Sequence, residues 1–183
     1  MREVDHRARN ALTIVLSLVR LTRASGQREF VAAVEGRVAA LARTHSLLAS
    51  NRWRYADLEA VVSDELASLG GERGVSIGGP AVSLRPEAVQ PMAMLLHELA
   101  TNAAKYGAWS RQGGRVAVSW AHAGNGSLRL SWRESGGPTP ATKPIPGYGL
   151  RLIEGTIGHE LAGRAELDFR GDGLVCTLDI PTG

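Results

Sequence analysis

Cysteine is almost absent from this sequence, and its scarcity excludes several classes of protein. Cys176 is the one cysteine among 183 residues, so the chain forms no internal disulfide and no zinc site built on a cysteine cluster. Cys176 lies in a segment of alternating apolar residues, which predicts a buried position on a strand. At 44% hydrophobic residues, the composition is that of a globular protein with an ordinary core.

Long apolar runs and dense basic blocks are missing as well. No stretch approaches the roughly 20 apolar residues of a membrane span, and residues 1–6 lack the apolar region of a secretory signal peptide. We therefore expect a cytoplasmic protein with no membrane segment in this chain. No cluster of Lys and Arg is interleaved with aromatic residues, so nucleic acid is not an expected partner.

The first part of the chain is basic and helical in pattern. Residues 1–54 contain ten arginines and four acidic residues, although the net charge of the chain is only +3. Apolar residues recur at helical spacing over about 2–24 and 28–49, with a break at 25–27, which predicts an antiparallel helical hairpin. Two helices alone do not close a core. We expect the hairpin either to join a second copy in a four-helix bundle or to fold back on the rest of the chain.

The pattern after Trp53 alternates between helical and strand-like segments. It predicts an α+β sandwich, in which a mixed, mainly antiparallel sheet carries helices on one face. The helices are expected at 57–69, 86–106 and 148–160, and the strands at 74–78, 82–84, 114–121, 127–134 and within a final hairpin at 163–180.

The predicted helix that ends at Gly107 combines three polar groups on one face. Glu98, Asn102 and Lys105 lie four and three positions apart, so a carboxylate, an amide and an ammonium project together. Carboxylate and amide oxygens suit Mg²⁺, and an ammonium suits phosphate. A solvated helix surface is the competing interpretation of the same spacing.

A glycine-rich loop follows the strand that ends near Glu134. A carboxylate at a strand end can accept a hydrogen bond from the exocyclic amine of adenine, and Gly136 allows the backbone to approach closely. Gly147 and Gly149, at the start of a predicted helix, can present backbone N–H groups to phosphates. With the helix before Gly107, these residues point to a nucleotide site.

These motifs resemble those of the HWE group of histidine kinases, within the superfamily of Bergerat-fold (GHKL) ATPases. The resemblance covers essentially the whole chain and implies a phosphoacceptor hairpin at 1–52 and an ATP-binding domain at 53–183. It is carried by Asp5-His6-Arg7-Ala8-Arg9-Asn10, by His97-Glu98-Leu99-Ala100-Thr101-Asn102-Ala103-Ala104-Lys105-Tyr106-Gly107, by Trp132 and Glu134, and by Gly147-Tyr148-Gly149.

The resemblance also implies a role for each matching residue of the hairpin and of the helix before Gly107. His6 is the expected phosphoacceptor, with Asn10 one helical turn below it at the catalytic centre. Asn102 is expected to coordinate Mg²⁺ that bridges the ATP phosphates, and Glu98 to orient water or the metal shell. Lys105 is expected to contact phosphate.

The remaining expected cofactor contacts surround the base and the lid. Glu134 occupies the place where most relatives have an adenine-reading Asp, and Tyr106 is a further expected contact of the cofactor. Gly136, Gly147 and Gly149 are expected to shape the pocket wall and a mobile lid, and the same group of nucleotide contacts includes Leu150. Trp132 is expected to pack beneath the nucleotide.

The implied function is autophosphorylation of a histidine by Mg²⁺ and ATP, followed by transfer to an Asp of a response-regulator receiver domain. A homodimer through residues 1–52 is the expected assembly. Two alternatives stay open: a histidine phosphotransferase that does not use ATP, and a Bergerat-fold serine kinase. Arg7 follows His6 where many histidine kinases have an acid, so no general base is assigned, and His97 is either structural or catalytic.

Overall fold

The structure, a computed structural model, describes residues 12–20, 22, 24, 26–70, 74–124, 126–139 and 156–181. Its elements confirm the predicted α+β class, and the bounds of α2, α3, α4 and of the strands of the main sheet lie within a few residues of those predicted. The helices are α1 (12–20), α2 (Gln27–Ser50), α3 (Leu58–Gly70) and α4 (Pro86–Lys105). The strands are β1 (Ala56–Asp57), β2 (Gly74–Gly78), β3 (Ser83–Leu84), β4 (Arg115–Ala123), β5 (Ser127–Ser135), β6 (Arg164–Arg170) and β7 (Gly173–Pro181).

Within the described residues, the main sheet has five strands in the order β2-β4-β5-β7-β6. Among these strands only β2 and β4 pair in parallel, and the other neighbours are antiparallel, so the sheet is mixed and mainly antiparallel, as predicted. Buried residues alternate along β5, where Leu128, Leu130, Trp132 and Glu134 share the inward face. Since strand side chains alternate between faces, a carboxylate at position 134 belongs to the side that packs on the helices.

The helices α3 and α4 cover this inward face of the sheet. Their apolar residues join those of β4, β5 and β7 in one core, with Met92, Leu96 and Leu99 of α4 fully buried. The helix α4 begins with Pro86. Proline is favourable in the first turn, because the backbone N–H that it lacks would have no intrahelical partner there. The core therefore fixes α4 against the sheet along most of its length.

The helix α2 contacts α3 and α4 of the same chain. The second helix of the predicted hairpin thus folds back on the rest of the chain, one of the two expected arrangements, and pairing of the hairpin with a second copy stays a prediction. The turn after α2 holds Arg52 and Trp53 at positive φ angles of 53° and 60°, and the Trp53 ring contacts His45 edge-on. The proposed domain boundary at 52/53 coincides with this turn and remains a prediction.

Two local features differ from the predicted elements. The segment Ser83–Leu84 is not part of the main sheet but pairs with Ala56–Asp57 in a separate two-stranded sheet. Of the helix predicted at 148–160, the structure describes Thr156–Glu160, which forms a π-helical turn rather than α-helix. The earlier residues of that prediction lie outside the described ranges.

Candidate nucleotide site and its link to helix α2

The C-terminus of α4 is closed by its own backbone and then turns sharply into the sheet. The carbonyl oxygen of Asn102 accepts hydrogen bonds from the backbone N–H groups of Tyr106 (2.8 Å) and Gly107 (3.0 Å). A short 3₁₀ helix, Ala108–Ser110, follows at once. Asn102 and Tyr106 are thereby placed beside the end of β5.

A cavity of about 390 Å³ opens at this point, between the end of α4 and the sheet. That volume lies within the range of small-molecule sites, roughly 300–1,000 Å³. The floor and walls combine apolar residues with few polar groups. The lining residues are Asn102, Tyr106, Gly107, Glu134, Gly137, Pro138, Thr139, Phe169, Gly173 and Leu174.

Glu134 is the buried carboxylate of this cavity, with 2% of its surface exposed. Its Oε2 accepts a hydrogen bond from the backbone N–H of Ala108 at 2.8 Å, and its Oε1 accepts one from the indole Nε1–H of Trp132 at 3.1 Å. Each carboxylate oxygen can accept more than one hydrogen bond, so acceptor capacity remains for a ligand. The site therefore presents an oriented acceptor in apolar surroundings.

The pKa of Glu134 is raised above its ordinary value of 4.5, because burial disfavours the charged carboxylate. The hydrogen bonds from Ala108 and Trp132 oppose this shift, since they stabilise the ionised form. Protonation consequently occurs closer to neutral pH than for an exposed glutamate, and it converts one acceptor oxygen into a donor.

Gly107 gives the Glu134 side chain the space that it occupies. A Cβ atom at position 107 would meet Glu134 Oε2 and would lie 2.9 Å from the Cα of Ala103. The φ angle of Gly107 is −105°, which other residues adopt, so the requirement for glycine is one of space. The glycine that ends the helical motif and the glutamate of β5 thus depend on each other.

Glu98 does not line the cavity but faces helix α2. Its Oε1 accepts a hydrogen bond from Arg37 Nε at 2.7 Å, and both side chains are only 8% exposed. Arg37 also donates from Nη1 to Thr22 Oγ1 at 2.6 Å. A buried ion pair therefore connects α2 to the polar helix face that the sequence predicts.

His97 lies in a second polar group at the same helix interface. Its Nδ1 is 3.3 Å from Glu65 Oε2 of α3, and Arg43 of α2 donates to both carboxylate oxygens of Glu65 at 3.1 and 2.6 Å. Gly36 of α2 approaches the histidine closely, because a Cβ there would be 3.0 Å from His97 Nε2. The contacts of His97 are thus interhelical, and they favour the structural interpretation left open by the sequence.

Lys105 also contacts α2. Its Nζ lies 3.7 Å from Glu29 Oε1, with the two side chains 42% and 39% exposed. Two of the three predicted polar residues, Glu98 and Lys105, therefore contact α2, while Asn102 lines the cavity. The face that the spacing predicts is divided between helix α2 and the cavity.

The structure brings together three predicted site residues, Asn102, Tyr106 and Glu134, around one cavity. Gly136 directly precedes the lining residue Gly137 and has a φ of 73°, a region that favours glycine. Other predicted residues lie outside the described ranges: His6, Asn10, Gly147, Gly149 and Leu150.

The sequence analysis did not identify every residue of the cavity. Thr139 and Phe169 line it, yet they belong to no motif, and only the sheet order brings β6 near the end of α4. The indole of Trp132 was expected to pack, whereas it also donates a hydrogen bond to Glu134. The sequence contained a signal for this contact: Trp132 and Glu134 lie two residues apart on one strand, and side chains at such positions share a face of the sheet.

Among the described residues, no three His, Cys, Asp or Glu side chains are grouped so as to hold a metal ion. None of the helices in the described ranges is both long enough and apolar enough to cross a membrane.

The sequence itself is similar to known kinases. Residues 3–81 match the family model described as HWE histidine kinase. The chain is 36% identical over its full length to the blue-light-activated histidine kinase of Rhizobium johnstonii, of which it covers 53%. It thus spans about half the length of the curated relatives that it matches.

The fold is similar to solved histidine kinases. The blue-light activated histidine kinase of Erythrobacter litoralis EL346 superposes with a TM-score of 0.74 at 23% identity, over 99% of this chain and 58% of that one. The histidine kinase ThkA, solved in complex with the response regulator protein TrrA, superposes with a TM-score of 0.52 at 15% identity, over 100% of this chain and 60% of that one. At these identities the likeness shows the fold.

Proposed function

We propose that the chain phosphorylates its own His6 from Mg²⁺ and ATP and passes the phosphoryl group to an aspartate of a receiver domain, because residues 3–81 match the HWE histidine kinase model and the full chain is 36% identical to a named histidine kinase. One observation carries the nucleotide part of this proposal. Asn102 at the end of α4 and the buried carboxylate of Glu134 line the same cavity. An ATP site needs contacts at both ends of the nucleotide. The Asn102 amide would supply one at the phosphates, and the Glu134 carboxylate would accept a hydrogen bond from the adenine amine.

The residues present fit ATP, and they fit Mg²⁺ as an ion that arrives with it. The cavity is of small-molecule size, and Glu134 offers free acceptor capacity in an apolar setting. The described residues hold no group of three metal-ligating side chains of the usual kind. Mg²⁺ at phosphotransfer sites is typically held by one or two protein oxygens together with the phosphates, so Asn102 suffices as a protein ligand.

In the proposed reaction, a neutral ring nitrogen of His6 attacks the γ-phosphorus of ATP. A P–N bond forms, the P–O bond to ADP breaks, and the proton on the other ring nitrogen is released. Asn10 is proposed to assist at the imidazole. Mg²⁺, when bound, would supply electrostatic stabilisation of the phosphates, and Lys105 is proposed to balance charge on them. Glu98 pairs with Arg37 outside the cavity, so its proposed role of orienting water near the metal requires that pair to open.

The remaining nucleotide contacts are proposed to come from the cavity rim and the lid. Tyr106, which is 69% exposed at the cavity, is proposed to cover the base, and the wall and lid are proposed to be formed by Gly136, Gly147, Gly149 and Leu150.

The two alternative functions are disfavoured by particular residues. The presence of Asn102 and Glu134 disfavours a phosphotransferase that does not use ATP, and the His6 motif disfavours a serine kinase.

The proposed partners are a response-regulator receiver domain and a second copy of the chain. Phosphohistidine is a reactive donor suited to an Asp carboxylate, and the arginine-rich hairpin complements the acidic site of a receiver. Leu12, Leu16 and Val19 of α1 are exposed by 65%, 56% and 38%, an apolar stripe that supports pairing through residues 1–52. We place this chemistry in the cytoplasm, where ATP is available.

The decisive experiment is incubation with radiolabelled ATP and Mg²⁺. We expect label on the protein that is acid-labile and base-stable, the behaviour of a phosphoramidate, and that is lost in His6→Gln. Asn102→Asp replaces the neutral amide with a carboxylate, which would repel the negatively charged phosphates. We expect this variant to lose both ATP binding and labelling.

The same assay separates the alternatives. Label acquired only from a phosphorylated receiver domain would identify a phosphotransferase, and acid-stable label on the serine of an added protein would identify a serine kinase. Labelling that survives in His6→Gln would contradict the proposed phosphoacceptor.

The ion pair between Glu29 and Lys105 leads to a prediction about nucleotide affinity. If Lys105 contacts phosphate, Glu29 competes for the same ammonium across 3.7 Å. We expect Glu29→Gln to tighten ATP binding by up to about fivefold, since exposed pairs contribute at most about 1 kcal/mol. Titration calorimetry at low and high salt tests this, because screening should remove the gain. Glu35→Gln on the same helix is the control, and an equal gain there would contradict a specific competition.

A further inference from the structure

Trp132 and Glu134 form a built unit beneath the cavity. They lie two residues apart on β5, so both side chains point to the inward face, and their exposed fractions are 0% and 2%. The indole Nε1–H donates to Glu134 Oε1 at 3.1 Å. Because the glutamate arm has more rotatable bonds than an aspartate, its terminal oxygens need external groups to hold them.

We propose that Trp132 is a positioning residue of the nucleotide site, whose indole N–H holds the Glu134 carboxylate in the orientation that meets the adenine amine. The inference rests on the proposed function, since it concerns the same site. Trp132 shares the task with Ala108, whose backbone N–H holds the other oxygen at 2.8 Å. One donor on each oxygen fixes the plane of the carboxylate and leaves lone pairs toward the cavity.

The neighbouring Trp109 is buried in the same surroundings but makes a different hydrogen bond. Trp109 contacts Trp132 edge-on, with ring centroids 6.3 Å apart, and is also buried, with 4% exposed. The Nε1 of Trp109, however, lies 3.5 Å from the carbonyl oxygen of Gly74 and so points away from the carboxylate. The two rings share one packing environment, but only Trp132 donates to Glu134.

The electrostatic surroundings make this donor effective. Opposite Glu134, β4 contributes Val116, and β7 contributes Gly173 and Leu174 near the cavity, none of which ionises. At the end of α4, the titratable residue that lines the cavity is Tyr106, while the preceding Lys105 lies 3.7 Å from Glu29 of α2. The pKa of Glu134 is raised by burial and lowered by the two N–H donors. Loss of the indole donor therefore raises that pKa further, and the ionised acceptor is lost at a higher pH.

The test compares Trp132→Phe with the matched control Trp109→Phe, using ADP with Mg²⁺ as the probe. Phenylalanine retains an aromatic ring at either position, and only at 132 does it remove a donor to the carboxylate. We expect about a tenfold weaker Kd for ADP in Trp132→Phe, the effect of one hydrogen bond to a charged group. The pH at which binding is lost on acidification should rise by about one unit in this variant, and should stay at the wild-type value in Trp109→Phe.

A wild-type measurement keeps the test independent of how well the variant folds. With ¹⁵N-labelled indoles, the Trp132 signal should shift with pH as Glu134 titrates, at an apparent pKa above 4.5, and this shift should vanish in Glu134→Gln. The indoles of Trp109 and Trp120 point to carbonyl oxygens, so their signals should not follow that titration.

Separate outcomes refute the positioning role and the proposed function. Wild-type protein that binds ADP, together with a Trp132→Phe variant whose pH midpoint is unchanged, would overturn the positioning role alone. A Trp132 signal that ignores the protonation of Glu134 would do the same. Wild-type protein that binds no ADP would overturn the proposed function and the positioning role with it.

Discussion

Substitution of Arg37 by Met is expected to lower the free energy of unfolding by about 3–5 kcal/mol, because it leaves the buried Glu98 carboxylate without its partner. Arg37 and Glu98 are 2.7 Å apart with side chains only 8% exposed. A carboxylate in such a place keeps the cost of its desolvation when the guanidinium is removed. Urea unfolding of the whole chain, followed by circular dichroism, measures the loss.

Two further variants separate ion pairing from other effects of the substitution. The double variant Arg37→Met/Glu98→Leu removes both charges, so we expect it to recover most of the lost stability. Arg129→Met is the matched control, since Arg129 and Asp179 are also 2.7 Å apart but have side chains 59% and 40% exposed. Its effect should be small because water screens that pair. Equal losses in Arg37→Met and Arg129→Met would contradict the role assigned to burial.

Substitution of Gly107 by Ala is expected to weaken ADP binding by about 100-fold, the equivalent of two hydrogen bonds to the carboxylate. The new Cβ would meet Glu134 Oε2 and press against Ala103, so the carboxylate must leave Ala108 and its place in the cavity. Overpacking of this kind also costs about 1–3 kcal/mol of stability. Calorimetry with Mg²⁺ and ADP, alongside thermal unfolding, measures both effects.

A second substitution should reverse part of this loss. Glu134→Asp shortens the side chain by one methylene and clears space for the Cβ, so Gly107→Ala/Glu134→Asp is expected to bind ADP more tightly than Gly107→Ala alone. Gly78→Ala serves as the control, because nothing lies within 4 Å of a Cβ built there. Tight ADP binding by Gly107→Ala would show that the carboxylate does not need this space.

Much of the fold was predictable because its signals are local. Helical spacing located α2 and α4, alternation located β4 to β7, and the order of the motifs indicated the similarity to HWE histidine kinases that the family model also detects over residues 3–81. The pairing of Ser83–Leu84 with Ala56–Asp57 in a separate small sheet was not predictable. A two-residue segment is too short to show a periodicity, and its sequence does not indicate which strand it pairs with. The π-helical turn Thr156–Glu160 follows a helical pattern in sequence and differs only in its hydrogen bonding.

The candidate site, like the fold, was predictable where the signal is local and not where it depends on distant residues. Asn102 and Glu134 were predicted from residue type and position, and Tyr106 from the family resemblance; the structure places all three on one cavity. The partners of Glu98 and Lys105 were not predictable, because Arg37 lies 61 positions before Glu98 and Glu29 on the same distant helix. Spacing shows which side chains share a face, but it does not show what packs against that face.

The sequence by itself determined the α+β class, the resemblance to HWE histidine kinases and the residue types of the candidate site, because these depend on periods and motifs within single elements. Only the tertiary structure decided how the motif His97-Glu98 is used: both residues meet charged groups of other helices, Glu65 on α3 and Arg37 on α2. It likewise decided that Trp132 and Gly107 together shape the setting of Glu134. The physical reason is that the pairing of a buried charge depends on which distant element the core brings within hydrogen-bond distance.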